Sequence, residues 1–105
     1  MTRGAKIIEE CLRAAVEGPF FPDWEFPVLF GFDRTEVAAI LASWPVWDDF
    51  KAQSAAVNNS LNNLLGYPHK KWAQWPQSIS GSPEEVDAVF TRWRKAHPRE
   101  GWAHS

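Results

Sequence analysis

Residues 18–32 read Gly-Pro-Phe-Phe-Pro-Asp-Trp-Glu-Phe-Pro-Val-Leu-Phe-Gly-Phe, and no other stretch constrains the fold as much. Prolines at 19, 22 and 27 remove backbone donors and forbid a regular helix through the segment, while the apolar alternation is too broken for a paired strand. Its six aromatic side chains cannot all face water without creating a large apolar patch. The segment therefore needs a surface to lie on. The pattern predicts an irregular loop laid across helices and pinned by its rings, with Trp24, Phe26, Leu29 and Phe30 as anchors.

Helices to receive it are legible on either side. Ile7, Ile8, Cys11, Leu12, Ala15 and Val16 recur at steps of three and four, which predicts a helix over about 4–17 ended by Gly18-Pro19. Cys11 lies on that stripe and reads as a small buried hydrophobe rather than a reactive thiol. Asp33-Arg34-Thr35-Glu36 has the cap and third-position acid of a capping box, and Val37, Ile40, Leu41 and Trp44 follow at helical offsets, giving a helix over 34–44 closed by Pro45. Ser82-Pro83-Glu84-Glu85 repeats that grammar ahead of Val86, Val89, Phe90 and Trp93, giving a helix over 83–96. Segments 33–44 and 82–93 share Glu, Val, Ala and Trp at matching places, which fits either a duplication or two short helices obeying one template. The longest helix runs from about Asp48 to Leu65 and ends at Gly66, with Phe50, Val57, Leu61, Leu64 and Leu65 forming its apolar stripe.

The expected fold is all-α: a compact single-domain, four-helix bundle-like unit over residues 1–105, with the aromatic and proline-rich loops 18–32 and 67–81 packed over the helices and residues 1–3 and 98–105 frayed. A chain of 105 residues buries roughly 65% of its unfolded surface, enough for one core. Its 45% hydrophobic content is too high for a disordered chain, and no run approaches the ~18 apolar residues of a membrane span. One cysteine cannot form an internal disulfide, and the start Met1-Thr2-Arg3-Gly4-Ala5-Lys6 lacks the apolar core of a signal peptide, so a cytoplasmic location is expected. Residues 1–50 hold nine acids and four bases (−5) and residues 51–105 four acids and seven bases (+3). Two mutually attracting faces explain that asymmetry, with a docking patch as the sharper alternative.

The long helix carries an unusual surface. Asn58, Asn59, Asn62 and Asn63 fall within an arc of about 140° opposite the apolar stripe, and no formal charge occurs from Ala52 to Pro68. Against Ala, four asparagines cost a helix on the order of 2 kcal/mol, which a plain solvated face does not require. Two readings follow. Either the amides tie down the proline-rich segments by bonding their orphaned backbone groups, or they form a recognition surface for a partner. The second requires exposed amides.

No motif names a reaction. His69, His97 and His104 show no metal-ligand spacing, the six glycines are scattered, and no nucleophile sits beside a base, so neither metal, cofactor nor catalytic residues are expected. Glu25, between Trp24 and Phe26, is the best candidate acid, though a lone acid in an aromatic loop more often bonds an amide or an arginine. By elimination the expected function is a non-catalytic protein-binding module, of the kind that serves as an inhibitor or immunity protein for one cognate partner. Its candidate contacts are Asn58, Asn59, Asn62, Asn63, Trp24, Glu25, Tyr67, His69, Trp72 and Trp75. The rival is a single-stranded nucleic-acid binder in which Lys70, Lys71, Trp72 and Trp75, with Arg92, Trp93, Arg94, Lys95 and Arg99, interleave bases and aromatics. A sequence pI near 5.9 argues against it. A small-ligand pocket or minor enzyme is the third reading. Of seven tryptophans, Trp44 and Trp93 read as core, Trp47 opens the long helix, Trp102 lies in the tail, and Trp24, Trp72 and Trp75 stand on broken loops.

Overall fold

The computed structural model describes residues 2–44, 50–67 and 69–96. Expectations that concern Pro45, Trp47, Asp48, Pro68, the side chain of Phe50 and residues 97–105 lie outside the described residues. Those described form α1 (Arg3–Glu17), α2 (Phe26–Phe30), α3 (Arg34–Ser43), α4 (Phe50–Gly66), α5 (Trp75–Ser78) and α6 (Pro83–Ala96), with a 3-10 turn at Trp72–Gln74 and no strand among them. They make one compact all-α domain in which α1 packs on α3, α4, α5 and α6, and α4 also touches α2, α3 and α6.

The helix ends follow local chemistry. Thr2 and Arg3, expected to fray, are the cap and first residue of α1: the Thr2 hydroxyl accepts the Ala5 N–H at 3.1 Å. Ile7, Ile8, Cys11, Leu12 and Ala15 are buried as the stripe predicts. Gly18 ends α1 without a left-handed turn. A Cβ there would stand 2.5 Å from the Ala14 carbonyl oxygen and 3.0 Å from the Phe20 ring, so close packing requires the glycine. Asp33 and Glu36 close the capping box of α3 in both directions. Ser82 caps α6 by accepting the Glu85 N–H at 3.1 Å, and Val86, Val89, Phe90 and Trp93 are buried. On α3, by contrast, only Val37 is fully buried. Trp44 is half-buried, with its indole N–H donating to the Ala5 carbonyl at 3.2 Å, so it staples α3 to α1 from the edge of the core.

Residues 18–32 are not wholly irregular. Pro27 sits in the first turn of α2, where a missing N–H costs nothing, and Gly31 ends the helix in the left-handed conformation at φ 75°. Glu25 and Phe26 donate to the Pro22 carbonyl at 3.1 Å, which extends the helical path backward through Trp24. Phe26 and Phe30, four residues apart, stack at 4.1 Å and face the core. Trp24 and Val28, also four apart, fall on the opposite side and are 76% and 83% exposed. The expectation that Trp24 anchors the loop is corrected accordingly: Phe20 and Phe21 take that place, and Leu29 is half-buried.

Arg34 holds this arrangement together. Its guanidinium lies 4.5 Å from the centroid of the Phe26 ring and donates to the carbonyls of Ala15 and Val16, at the end of α1, and of Phe21. Its remaining N–H groups meet Asp23 at 2.9–3.0 Å. One side chain thereby satisfies carbonyls that a helix end and a proline-broken loop leave without partners. A second arginine, Arg3, forms a two-point pair with Glu85 and donates to Ser80, whose own N–H and hydroxyl donate to Glu10. That pair runs counter to the expected attraction, since its base comes from the acidic half and its acid from the basic half.

Candidate interaction surface

The asparagines of α4 show which candidates are committed to the fold. Asn59 donates to the Phe30 carbonyl at 2.8 Å and Asn63 to the Leu29 carbonyl at 3.2 Å. Both acceptors lie in the last turn of α2, where helical partners run out. Asn58 is 5% exposed and donates to the Asn59 side chain, and only Asn62 is open to solvent. The amide row is therefore a fastening for α2, and the exposure that a recognition surface needs is met at one of its four members. The helix wheel placed these residues opposite the apolar stripe but could not show that α2 covers that side.

Glu25 and Tyr67 pair across the same junction, the phenol donating to the carboxylate. That bond holds the Tyr67 hydroxyl above its ordinary pKa. His69, a candidate contact, is instead buried. Its Nδ1 accepts the Lys71 N–H at 2.9 Å, so Nε2 carries the proton and donates to the Leu64 carbonyl at 3.0 Å. Trp75 is likewise buried, packed edge-on to Phe20, with its indole N–H donating to the Gly81 carbonyl at 2.8 Å. Both drop out as direct contacts. Their loop carries no hydrophobic period that would separate inward from outward rings.

Trp72 remains. It is 46% exposed and lies against His69 at 4.6 Å and Trp75 at 5.3 Å, the two indoles 27° from parallel. Beside it opens a groove of about 340 Å³ lined by Trp72, Trp75, Pro76, Ile79 and the Gly81–Pro83 turn. Lys70, two residues before Trp72, holds φ 58°, a left-handed conformation that costs a non-glycine residue about 1–2 kcal/mol. Trp24 adjoins in sequence Glu25, which is bound to Tyr67 just past α4, and Trp72 lies tilted against His69, which bonds Leu64 in the last turn of α4.

The basic and aromatic clusters meet less well than their spacing suggested. Trp93 and Trp75 are buried, so Trp72 is the exposed indole of that set, and Arg94 lies over the Phe90 ring at 5.1 Å. Among the described residues no group of His, Cys, Asp or Glu could hold a metal ion, and no helix is long and apolar enough to cross a membrane. Cys11 is buried, and desolvation pushes its thiol well above the ordinary range. Sequence reasoning missed Val28 and Arg34. The signal for both was spacing: Val28 follows Trp24 by four, out of phase with Phe26, Phe30 and Arg34, which are themselves spaced by four. No protein-family model, curated protein or solved structure matches this chain.

Proposed function

We propose that this chain is a non-catalytic, cytoplasmic protein-binding module, of the inhibitor or immunity type, that contacts its partner through Trp24, Val28 and Trp72. The outward pair Trp24 and Val28 carries the reading. A chain that buries every phenylalanine of α2 yet turns a tryptophan and a valine on the same path to solvent presents the residue type most enriched at the energetic centre of interfaces. A lone buried thiol suits a reducing compartment.

Affinity purification from the native host, comparing the wild-type chain with Trp24→Asp and Val28→Asp, tests it. The expected result is one stoichiometric partner retained by the wild type and lost with Trp24→Asp, since an anchoring tryptophan is worth about 2 kcal/mol or more. Recovery of the chain alone, or a partner indifferent to both substitutions, overturns it. The nucleic-acid reading retains Trp72 flanked by Lys70 and Lys71, both without an ion-pair partner among the described residues. Steep salt-dependent binding to an oligonucleotide, abolished by neutralising both lysines, would favour it.

A further inference from the structure

Trp24 and Val28 stand in a stretch whose outward charge is of one sign. Residues 14–36 hold five acids and one base, Arg34, a formal −4. Glu17 is offset by Arg13, and Asp33 and Glu36 are engaged at the start of α3. Asp23 and Glu25, the two chain neighbours of Trp24, are only half used. Arg34 meets Asp23 at Oδ1 and Tyr67 meets Glu25 at Oε2, so each carboxylate keeps an oxygen with no partner among the described residues. Arg34 cannot answer them further, because its Nε and both terminal nitrogens already serve Ala15, Val16, Phe21 and Asp23. Its side chain is 26% exposed against 94% for Asp23, so the acid of that pair is the member turned outward. Between the two acids in the chain, the Trp24 indole is open, and among the described residues no other ring and no cation lies over it. An indole is the best aromatic platform for a cation. A planar guanidinium can lie on it while its edge N–H groups reach carboxylate oxygens, a match that the point charge of an ammonium lacks. An anionic partner would meet like charge here.

Resting on the reading of this chain as a protein-binding module, we infer that the Trp24–Val28 face takes a basic segment of the partner protein, with an arginine laid on Trp24 and held by the spare carboxylate oxygens of Asp23 and Glu25. Titration calorimetry of the full chain tests this, with the Trp24 indole N–H resonance to locate the contact. The probe is a short blocked peptide of alternating leucine and arginine, beside versions with glutamate or with citrulline, the neutral isostere, in place of arginine. The arginine peptide is expected to bind saturably and to shift the Trp24 signal, the citrulline peptide to bind about fivefold more weakly, and the glutamate peptide not to bind. Trp24→Leu, which keeps an apolar side chain at an exposed position, should weaken the arginine peptide about fivefold. Asp23→Asn combined with Glu25→Gln keeps an acceptor for Arg34 and for Tyr67 but removes both charges. That variant should weaken binding about threefold and flatten its salt dependence. Equal binding of the citrulline peptide overturns the proposal, as does indifference to both variants with unchanged circular dichroism. A Trp24 signal shifted by oligothymidylate rather than by the arginine peptide would replace it with the nucleic-acid reading. If the arginine peptide fails while the native partner is still lost with Trp24→Asp, the basic-partner chemistry falls and the binding-module reading stands.

Discussion

Residues 18–34 and 67–82 are both rich in aromatics and proline, yet the first is tied down by partners distant in sequence and the second largely by its own neighbours. In the first, carbonyls of Ala15, Val16 and Phe21 go to Arg34, and those of Leu29 and Phe30 go to α4 asparagines. In the second, His69 bonds Leu64 and Lys71 and Trp75 bonds Gly81, while the long-range ties are Tyr67 to Glu25 at one end and Ser80 to Glu10 and Arg3 at the other. The difference teaches that aromatic content alone does not decide burial. Trp24 is 76% exposed in the remotely fastened segment and Trp75 3% exposed in the locally closed one, so the side of the backbone on which a ring stands, not the source of its hydrogen bonds, sets its burial.

Arg34→Met tests the comparison hardest. Retaining the stem but removing the guanidinium orphans three carbonyls, and the expected loss is about 3 kcal/mol in urea unfolding. Arg34→Lys should restore only part, because one ammonium cannot span both chain segments. A loss below about 1 kcal/mol would mean that the first segment is as self-sufficient as the second.

Smaller effects separate the asparagines. Asn59→Ala and Asn63→Ala should each destabilise by about 1–2 kcal/mol, since each strands an α2 carbonyl, whereas Asn62→Ala should stabilise by about 0.5 kcal/mol through helix propensity. Equal effects at all three positions would show that α2 is not fastened by them.

The smallest effects are in pH. Bonds from Thr35 and then Glu36 hold the Asp33 carboxyl below its ordinary value, and the bond from Arg3 does the same for Glu85. Their stabilisation is complete above the ordinary carboxylate range and is lost as pH falls through the lowered folded values, below about pH 4. Asp33→Asn, which keeps a capping oxygen, should flatten that acid limb in melting temperature. Tyr67 has the opposite sense: raised by Glu25, it stabilises below the ordinary phenol value and loses that contribution as pH climbs through the folded one. Tyr67→Phe should flatten the alkaline limb.

Much of the frame was readable because it rests on local rules. Asp33 with Glu36, and Ser82 ahead of Glu85, announced helix starts that the backbone adopts, and the stripes of α1 and α6 are the buried ones. The candidate surface was less readable. Trp24, Trp72 and Trp75 looked equivalent on broken loops, yet they end 76%, 46% and 3% exposed, and His69 was named a contact where it is a buried hydrogen-bonding post. The second segment has no period from which a facing can be read, and in the first the four-residue spacing that sets Phe26 and Phe30 against Trp24 and Val28 carries meaning only once the proline-broken stretch is known to turn helical.

The sequence by itself determined the four longer helices, the caps of α3 and α6 and the need to cover residues 18–32, because capping, periodicity and proline chemistry act over a few residues. Only the tertiary structure decided that the α4 amides serve α2 and that Trp24 and Trp72 face solvent. Those outcomes depend on where the Leu29 and Phe30 carbonyls come to lie against a helix some thirty residues away, and no local pattern carries that information.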